Sequence, residues 1–303
     1  MPPLFVNSLF FALIAILLWS CLASLGVLLQ HLPPFLLTGA ALLIGSLWAL
    51  PKLGRNSGVW RVHLSSITLG VVTFFGFHFC LFLGLRLASP VEVNLVNYLW
   101  PLLIVVLAPR YLQRSTSNPW LIAAGLCGFL GAAVAIVGAQ SVSDAGAQSS
   151  TLVNWTWRAA MGYGLALLSA FLWAHYSLMT RRLTDNNQEF PTATIGLFCF
   201  IAGVLSLICH LAVEVTPILS GADLFLLSLT GLGPLGAAFY AWDKALKKGE
   251  AQQIGVMSYL TPLLSTVLLL WTTGRPLSWH LVLATALILG AASIGTIKSR
   301  HGA

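Results

Sequence analysis

The sequence predicts an all-α membrane protein of ten transmembrane helices, arranged as two inverted five-helix repeats with both termini in the cytoplasm. Three observations predict it. The chain of 303 residues is 58% hydrophobic and only 8% charged, where soluble domains carry roughly 25% charged residues. Its apolar residues gather into ten runs, each close to the about 20 residues that cross a bilayer. And one stretch occurs twice: residues 85–107, LRLASPVEVNLVNYLWPLLIVVL, return at 246–268 as LKKGEAQQIGVMSYLTPLLSTVL.

The runs follow in order. The first, 7–29, is too long for the core of a signal peptide and no small-residue cleavage motif follows it, so it reads as the first span. The second, 33–51, comes after the connector His31-Leu32, which is so short that the two neighbours must be antiparallel. The third, 64–87, and the fourth, 91–108, are joined by Ala88-Ser89-Pro90, and the fifth, 119–139, closes the first half. Residues 140–159, QSVSDAGAQSSTLVNWTWRA, are rich in Ser, Ala and Gln and read as an external linker. The second half holds the runs 160–181, 191–213, 222–246, 252–271 and 278–297. Pro33, Pro90, Pro119 and Pro191 each stand where a run begins, a place where the missing N–H would be unpaired anyway. The domains expected are therefore a repeat at 1–139, the linker 140–159 and a repeat at 160–303.

Charge gives the orientation. With the N-terminus in the cytoplasm, the inner connectors and the tail hold Lys52, Arg55, Arg61, Arg110, Arg114, Arg181, Arg182, Lys244, Lys247, Lys248, Lys298 and Arg300. The outer connectors hold Arg86, Arg158 and Arg275, and the two groups exhaust the fifteen Lys and Arg of the chain. Twelve against three is a positive-inside signal. The net charge of +7 is scattered over short connectors and forms no patch, which excludes nucleic acid as a partner and leaves the lipid bilayer. Trp60, Trp120, Trp155, Trp157 and Trp279 lie near span ends, where an interfacial belt is expected. Cys21, Cys80, Cys127, Cys199 and Cys209 all lie inside apolar runs without a CxxC pair. They read as small hydrophobes, and no disulfide framework, metal site or cofactor is expected.

The duplication sets the plan. At an offset of 161, Leu85, Arg86, Tyr98, Leu99 and Pro101 meet Leu246, Lys247, Tyr259, Leu260 and Pro262. Leu18-Trp19 in the first run matches Leu172-Trp173 in the sixth, and the LGAA of 130–133 matches that of 289–292. Five spans is an odd number, so the second repeat enters the membrane upside down. Paired broken helices near the bilayer midplane of such inverted repeats are where alternating-access carriers bind substrate.

No enzyme motif survives inspection. GxxxxGK[ST], GxSxG and HExxH are all absent, and no two carboxylates stand at mid-depth. Asn94, Asn97, Tyr98 and Pro101 fall at i, i+3, i+4 and i+7 and would share one helical face, with Gly255, Ser258, Tyr259 and Pro262 as the twin set. These faces either bond between helices or line one central cavity. His78 and His175 lie deep within spans, where an ionisable residue is a functional candidate, and they are the candidates for proton coupling. Phe74, Phe82 and Gly84 accompany His78 along one expected cavity wall. His31, His63, His210, His280 and His301 lie near span ends and read as solvated. Asp243 and Lys247 are i, i+4 partners in an expected surface ion pair, while Lys244 is free to attract an anionic group. Glu92 opens the fourth run, where it favours the positive helix N-terminus or acts as a gate. The aromatic residues Trp19, Phe74, Phe75, Phe77, Phe82, Tyr98, Trp100, Trp173, Phe239, Tyr240 and Tyr259 gather in the runs expected around the cavity, which suits flat or apolar molecules. Gly125, Gly128 and Gly131 offer a smooth face to another subunit, giving a homo-oligomer, or to a neighbouring helix of the same chain.

On these residues the chain resembles the drug/metabolite transporter superfamily, with its paired EamA-type five-helix repeats. Within it, FHFCLFLGLRLASPVEVNLVNYLWPLL resembles the YddG-type aromatic amino acid exporters of bacterial inner membranes. That resemblance implies a multi-pass inner-membrane secondary transporter, not an enzyme, that exports aromatic and other neutral amino acids by alternating access at a pocket between the repeats. It implies pocket roles for His78, Tyr98, Trp100 and Lys244, to which the residue reading adds Trp19, Phe82, Asn94, Trp173, Tyr240 and Tyr259. Thr261 stands opposite Trp100 and Gly255 opposite Asn94, so the implied pocket is asymmetric. A low-selectivity drug or metabolite exporter of the same fold is the alternative reading.

Overall fold

A computed structural model describes residues 3–52, 58–113, 119–141, 156–273 and 279–299. Most of the expected linker, residues 142–155 with Trp155, lies outside them, as do Arg55, Arg114, Arg275, Arg300 and His301. The described chain is helical and contains no strand. Its α-helices in order are α1 (Pro3–Ser20), α2 (Leu22–Leu28), α3 (Pro34–Ser46), α4 (Leu64–Leu87), α5 (Pro90–Asn97), α6 (Trp100–Tyr111) and α7 (Pro119–Ser141). There follow α8 (Trp157–Asp185), α9 (Thr194–Val213), α10 (Gly221–Leu232), α11 (Ala238–Lys248), α12 (Ala251–Met257), α13 (Leu260–Thr273) and α14 (Trp279–Ser299). Among the described residues, seven stretches are long and apolar enough to cross a membrane: Ser8–Leu28, Pro34–Lys52, Leu64–Leu87, Glu92–Tyr111, Pro119–Val137, Thr194–Val213 and Gly221–Lys248. Helix α8 is the longest at 29 residues, about 43 Å at a rise of about 1.5 Å per residue.

The fourth and ninth runs are broken at the same place. Helix α5 gives way to α6 at Tyr98-Leu99, and α12 to α13 at Ser258-Tyr259, within one residue of the positions that the offset of 161 equates. The cause is the repeated proline. Pro101 and Pro262 have no N–H, so they cannot bond the carbonyls of Asn97 and Ser258 four residues back. The chain tightens to three-residue bonds at the break: Leu99 N donates to Val96 O at 3.1 Å, and Thr261 N to Ser258 O at 2.9 Å. The expected polar face is also not continuous. Asn94 is exposed whereas Asn97 is buried, so the set does not share one continuous side.

Two further interruptions have no counterpart in the other repeat. The first run bends at Cys21, between α1 and α2. The eighth run contains a π-helical turn, Gly233–Ala237, between α10 and α11. Pro234 within it removes one helical donor, and the wide turn absorbs the misfit. Two indoles then serve carbonyls at the turn: Trp19 Nε1 donates to Pro234 O at 3.1 Å and Trp48 Nε1 to Leu232 O at 2.9 Å.

The chain divides into two compact units that cut across the sequence repeats. One comprises residues 1–79 and 179–249, the other 80–178 and 250–303. In the first unit α1 runs along α11, and α3 packs against α9 and α10. Close approach there depends on glycine. A methyl built on Gly39 would stand 3.1 Å from Gly203 O, and one on Gly203 would stand 3.0 Å from Gly39 O. In the second unit α7 packs along α14, with α12 and α6 beside them. The glycine face of α7 is taken up here within the chain: Gly125 meets Leu102, Gly128 the ring of Tyr259, and Gly131 Ile288. Ala132, Ala135, Ala284 and Ile288 are buried around that seam.

Buried helix ends in the first unit are tied by carboxylates. Glu214 accepts from the first backbone donors of α3, Phe35 N and Leu36 N, both at 3.2 Å. His210 supports it, with Nδ1 at 2.9 Å from Glu214 Oε2 and Nε2 at 2.8 Å from Thr216 Oγ1. Helix α10 carries a capping box of Ser220 and Asp223, and His31 Nε2 lies 3.0 Å from Asp223. His31 and His210 are thus structural partners of carboxylates, and His210 is buried rather than solvated.

Candidate substrate site

The residues that the sequence singles out fall into two groups, one in each unit. In the first unit stand Trp19, His78, Tyr240 and Lys244. Trp19 is buried, pinned through Nε1 to the π-turn, with its ring 5.2 Å from Trp242 and 6.1 Å from Phe239. Phe239 continues the contact to Phe74 at 4.7 Å, Phe74 to Phe198 at 5.9 Å, and Phe198 to Phe190 at 5.4 Å. Phe74 is buried within this aromatic chain. His78 is buried on α4, with Nδ1 2.7 Å from Phe74 O and its ring edge-on to Phe77 at 5.1 Å. A bond to the preceding turn fixes the ring. Tyr240 is half-buried, and its hydroxyl has no partner among the described residues. Lys244 lies over the Phe11 ring at 5.1 Å, as does Lys248, so its charge rests on an aromatic face.

The same unit holds a polar cluster that the sequence reading placed at the surface. Asp243 is wholly buried. Its Oδ2 accepts from Lys247 Nζ at 2.8 Å and from Thr192 Oγ1 at 2.6 Å. Lys247 also donates to Phe190 O at 2.6 Å and stands 4.4 Å above the Phe190 ring. The expected i, i+4 pair forms, but inside the protein, because Thr192 and Phe190 from the segment before α9 cover it. Thr192 escaped notice, since nothing in its local sequence marks it.

In the second unit stand Phe82, Asn94, Tyr98, Trp100, Trp173, Tyr259 and His175. The helix break carries the centre of this group. Trp100, the first residue of α6, is buried and meets Trp173 of α8 edge-on at 6.5 Å. Trp173 in turn lies 5.7 Å from Tyr176. One turn earlier on α8, Ser169 Oγ donates to Asn97 Oδ1 at 3.1 Å. Ser169, Trp173 and Tyr176 at i, i+4 and i+7 form one buried face of α8 turned to the break. Tyr98 and Phe82 are half-buried, and Asn94 is exposed. Tyr259 differs from its twin Tyr98: it is wholly buried with its ring against Gly128 of α7, which spends it on packing. His175 is half-buried; its Nδ1 lies 2.8 Å from Tyr111 Oη and its ring stacks on Phe171 at 5.9 Å. Glu92, in the first turn of α5, accepts a hydrogen bond from Tyr163 of α8. Among the described residues no group of His, Cys, Asp and Glu is placed to hold a metal ion.

What this arrangement offers is aromatic faces and a few fixed polar groups, in the second unit gathered at a helix break. The family model of the EamA-like transporter family matches twice, over residues 6–137 and 160–296. The chain belongs to the EamA-like transporter family. This EamA-like transporter, a multi-pass membrane protein, is 35% identical over 294 residues to the aromatic amino acid exporter YddG of Ancylobacter novellus, covering 95% of this chain and 96% of that one. It is 27% identical over 300 residues to the aromatic amino acid exporter YddG of Escherichia coli, covering 96% and 97%. A solved crystal structure with 34% sequence identity superposes on it with a TM-score of 0.87, covering 98% of this chain and 99% of that one.

Proposed function

We propose that this EamA-like transporter is a secondary carrier that exports amino acids, aromatic and other neutral ones, across a bacterial inner membrane. The observation that carries the reading is the 35% identity, end to end, with a relative named as an aromatic amino acid exporter. The chemistry of the chain agrees. Trp100 and Trp173 present edges and faces at a helix break, a surface on which a flat side chain gains about 0.5–1.5 kcal/mol per aromatic contact beyond its buried area. Each unit has polar groups suited to an amino acid's charged end, His78, Tyr240 and Lys244 in the first and Tyr98 in the second. In this reading the protein crosses the membrane ten times as two inverted five-helix repeats, 1–139 and 160–303, with both termini cytoplasmic. Both repeats contribute to one substrate pocket that opens to each side in turn. It is a carrier and not an enzyme, and needs no cofactor.

The test is counterflow in proteoliposomes loaded with unlabelled phenylalanine. Saturable uptake of labelled phenylalanine, blocked by tryptophan and tyrosine but not by sugars or quaternary amines, is the expected result. Trp100→Ala and His78→Ala should each lower the rate about tenfold, the equivalent of about 1.4 kcal/mol, in protein that remains folded. Absence of uptake by folded native protein overturns the amino-acid reading.

A further inference from the structure

We propose that Asp243 is a proton-binding site of this carrier, and that a proton arriving there loosens the tie between α11 and the segment leading into α9. The argument rests on how unequally the two carboxylate oxygens are served. Oδ2 takes both donors, Lys247 Nζ at 2.8 Å and Thr192 Oγ1 at 2.6 Å. Oδ1 is buried and has no hydrogen-bond partner among the described residues. A carboxylate that is 0% exposed needs all its lone pairs answered, because a buried, unanswered charged oxygen is costly. Oδ1 is the position where a proton relieves that cost.

The neighbours make the event reversible. When the proton binds Oδ1, the carboxyl becomes neutral and its bond to the Lys247 ammonium weakens. Lys247 keeps its own proton and is not stranded, since it already donates to Phe190 O at 2.6 Å and lies 4.4 Å over the Phe190 ring. The Thr192 hydroxyl, which bonds a charged carboxylate at Oδ2, holds a neutral carboxyl less tightly, because the bond is no longer charge-assisted, and this is the tie to the segment before α9 that loosens. No other bond forms or breaks. The charges around the site are accounted for. Helix α11 itself brings Lys244, Lys247 and Lys248, of which the first and last rest on Phe11. The segment before α9 brings Glu189, whose like charge acts on Asp243. From α8, Arg181 is tied to Asp185 at 2.7 Å and to the carbonyls of Leu246, Lys247 and Gly249. Helix α1 carries no titratable side chain. Loss of the proton restores the ion pair with Lys247 and the charge-assisted bond from Thr192, tightening α11 against the segment before α9.

Two measurements test the site separately from the substrate. Infrared difference spectra of the purified protein between alkaline and acid pH should show a protonated-carboxyl C=O stretch that is missing in Asp243→Asn and displaced in Asp243→Glu. In proteoliposomes, phenylalanine exchange by the native protein should change severalfold with pH. Asp243→Asn should keep exchanging at a rate that no longer follows pH or an imposed proton gradient, while Asp243→Glu keeps the response with a moved midpoint. The transport arm rests on the exporter reading; the infrared arm does not. Native protein without phenylalanine exchange overturns that reading and leaves the infrared band to decide Asp243. Folded protein without an Asp243-dependent band, or a variant Asp243→Asn that still answers to a proton gradient, overturns the proton site.

Discussion

Gly45 is the residue at which one methyl group should cost most. It lies on α3 where that helix crosses the π-turn. A Cβ built on it would press into Leu235 O and would stand 3.0 Å from both Gly231 O and Gly236 Cα. All three neighbours are backbone, so none yields by turning a side chain. Overpacking of a rigid site costs about 1–3 kcal/mol, and a site closed by backbone on three sides belongs at the upper end. Against this, alanine is the better helix former by about 0.5–1 kcal/mol. The net loss for Gly45→Ala is therefore about 2 kcal/mol. Gly164 on α8 is the control, because nothing lies within 4 Å of a Cβ built there. Gly164→Ala should keep only the gain of about 0.5–1 kcal/mol. The two variants should then differ by about 3 kcal/mol, more than a hundredfold in the folded-to-unfolded ratio. Detergent-induced unfolding in mixed micelles, followed by tryptophan fluorescence, measures both. Equal stability of Gly45→Ala and Gly164→Ala would refute the close backbone contact.

Other outcomes follow from single contacts. Glu214→Gln keeps the shape of the α3 cap but removes the charge that Phe35 N, Leu36 N and His210 share; it should lower stability by about 1–3 kcal/mol in the same unfolding assay. Trp19→Phe keeps one aromatic ring but deletes the bond to Pro234 O and leaves part of the indole's buried space empty, a loss of about 1–3 kcal/mol. The Asn97–Ser169 bond should show a coupling of about 0.6 kcal/mol in a double-mutant cycle of Asn97→Ala and Ser169→Ala, the usual value for such bonds in membranes.

The features legible in the sequence were those that local chemistry writes twice. A proline three residues after a repeated tyrosine announces a helix break without any knowledge of the partner helix, and both breaks stand where the repeat places them. Apolar runs announce the helices for the same reason. Features set by distant chain were not legible. Asp243 and Lys247 show their i, i+4 spacing in the sequence, but burial of the pair depends on Thr192, 51 positions away. His210 and Glu214 have the same spacing, yet the cap they make belongs to a helix 178 positions earlier. Tyr98 and Tyr259 are equivalent in the repeat and unequal in surroundings, because Gly128 opens a slot for the second alone. The bend at Cys21 has no cue in its neighbouring residues. Gly233-Pro234, by contrast, is a visible cue for an irregular turn.

The π-turn at Gly233–Ala237 also acts as a setting of angular phase. Each residue of a regular helix advances the chain by about 100° and about 1.5 Å. A wide turn inserts one residue without completing that rotation, so every side chain of α11 points where its neighbour would otherwise point. Asp243 faces Thr192, and Lys244 faces Phe11, by virtue of that offset. Deleting one residue within the turn would leave composition, hydropathy and helix content nearly unchanged. It would nevertheless swing the carboxylate about 100° away from its hydroxyl partner, much as a key cut one notch out of step no longer meets its pins.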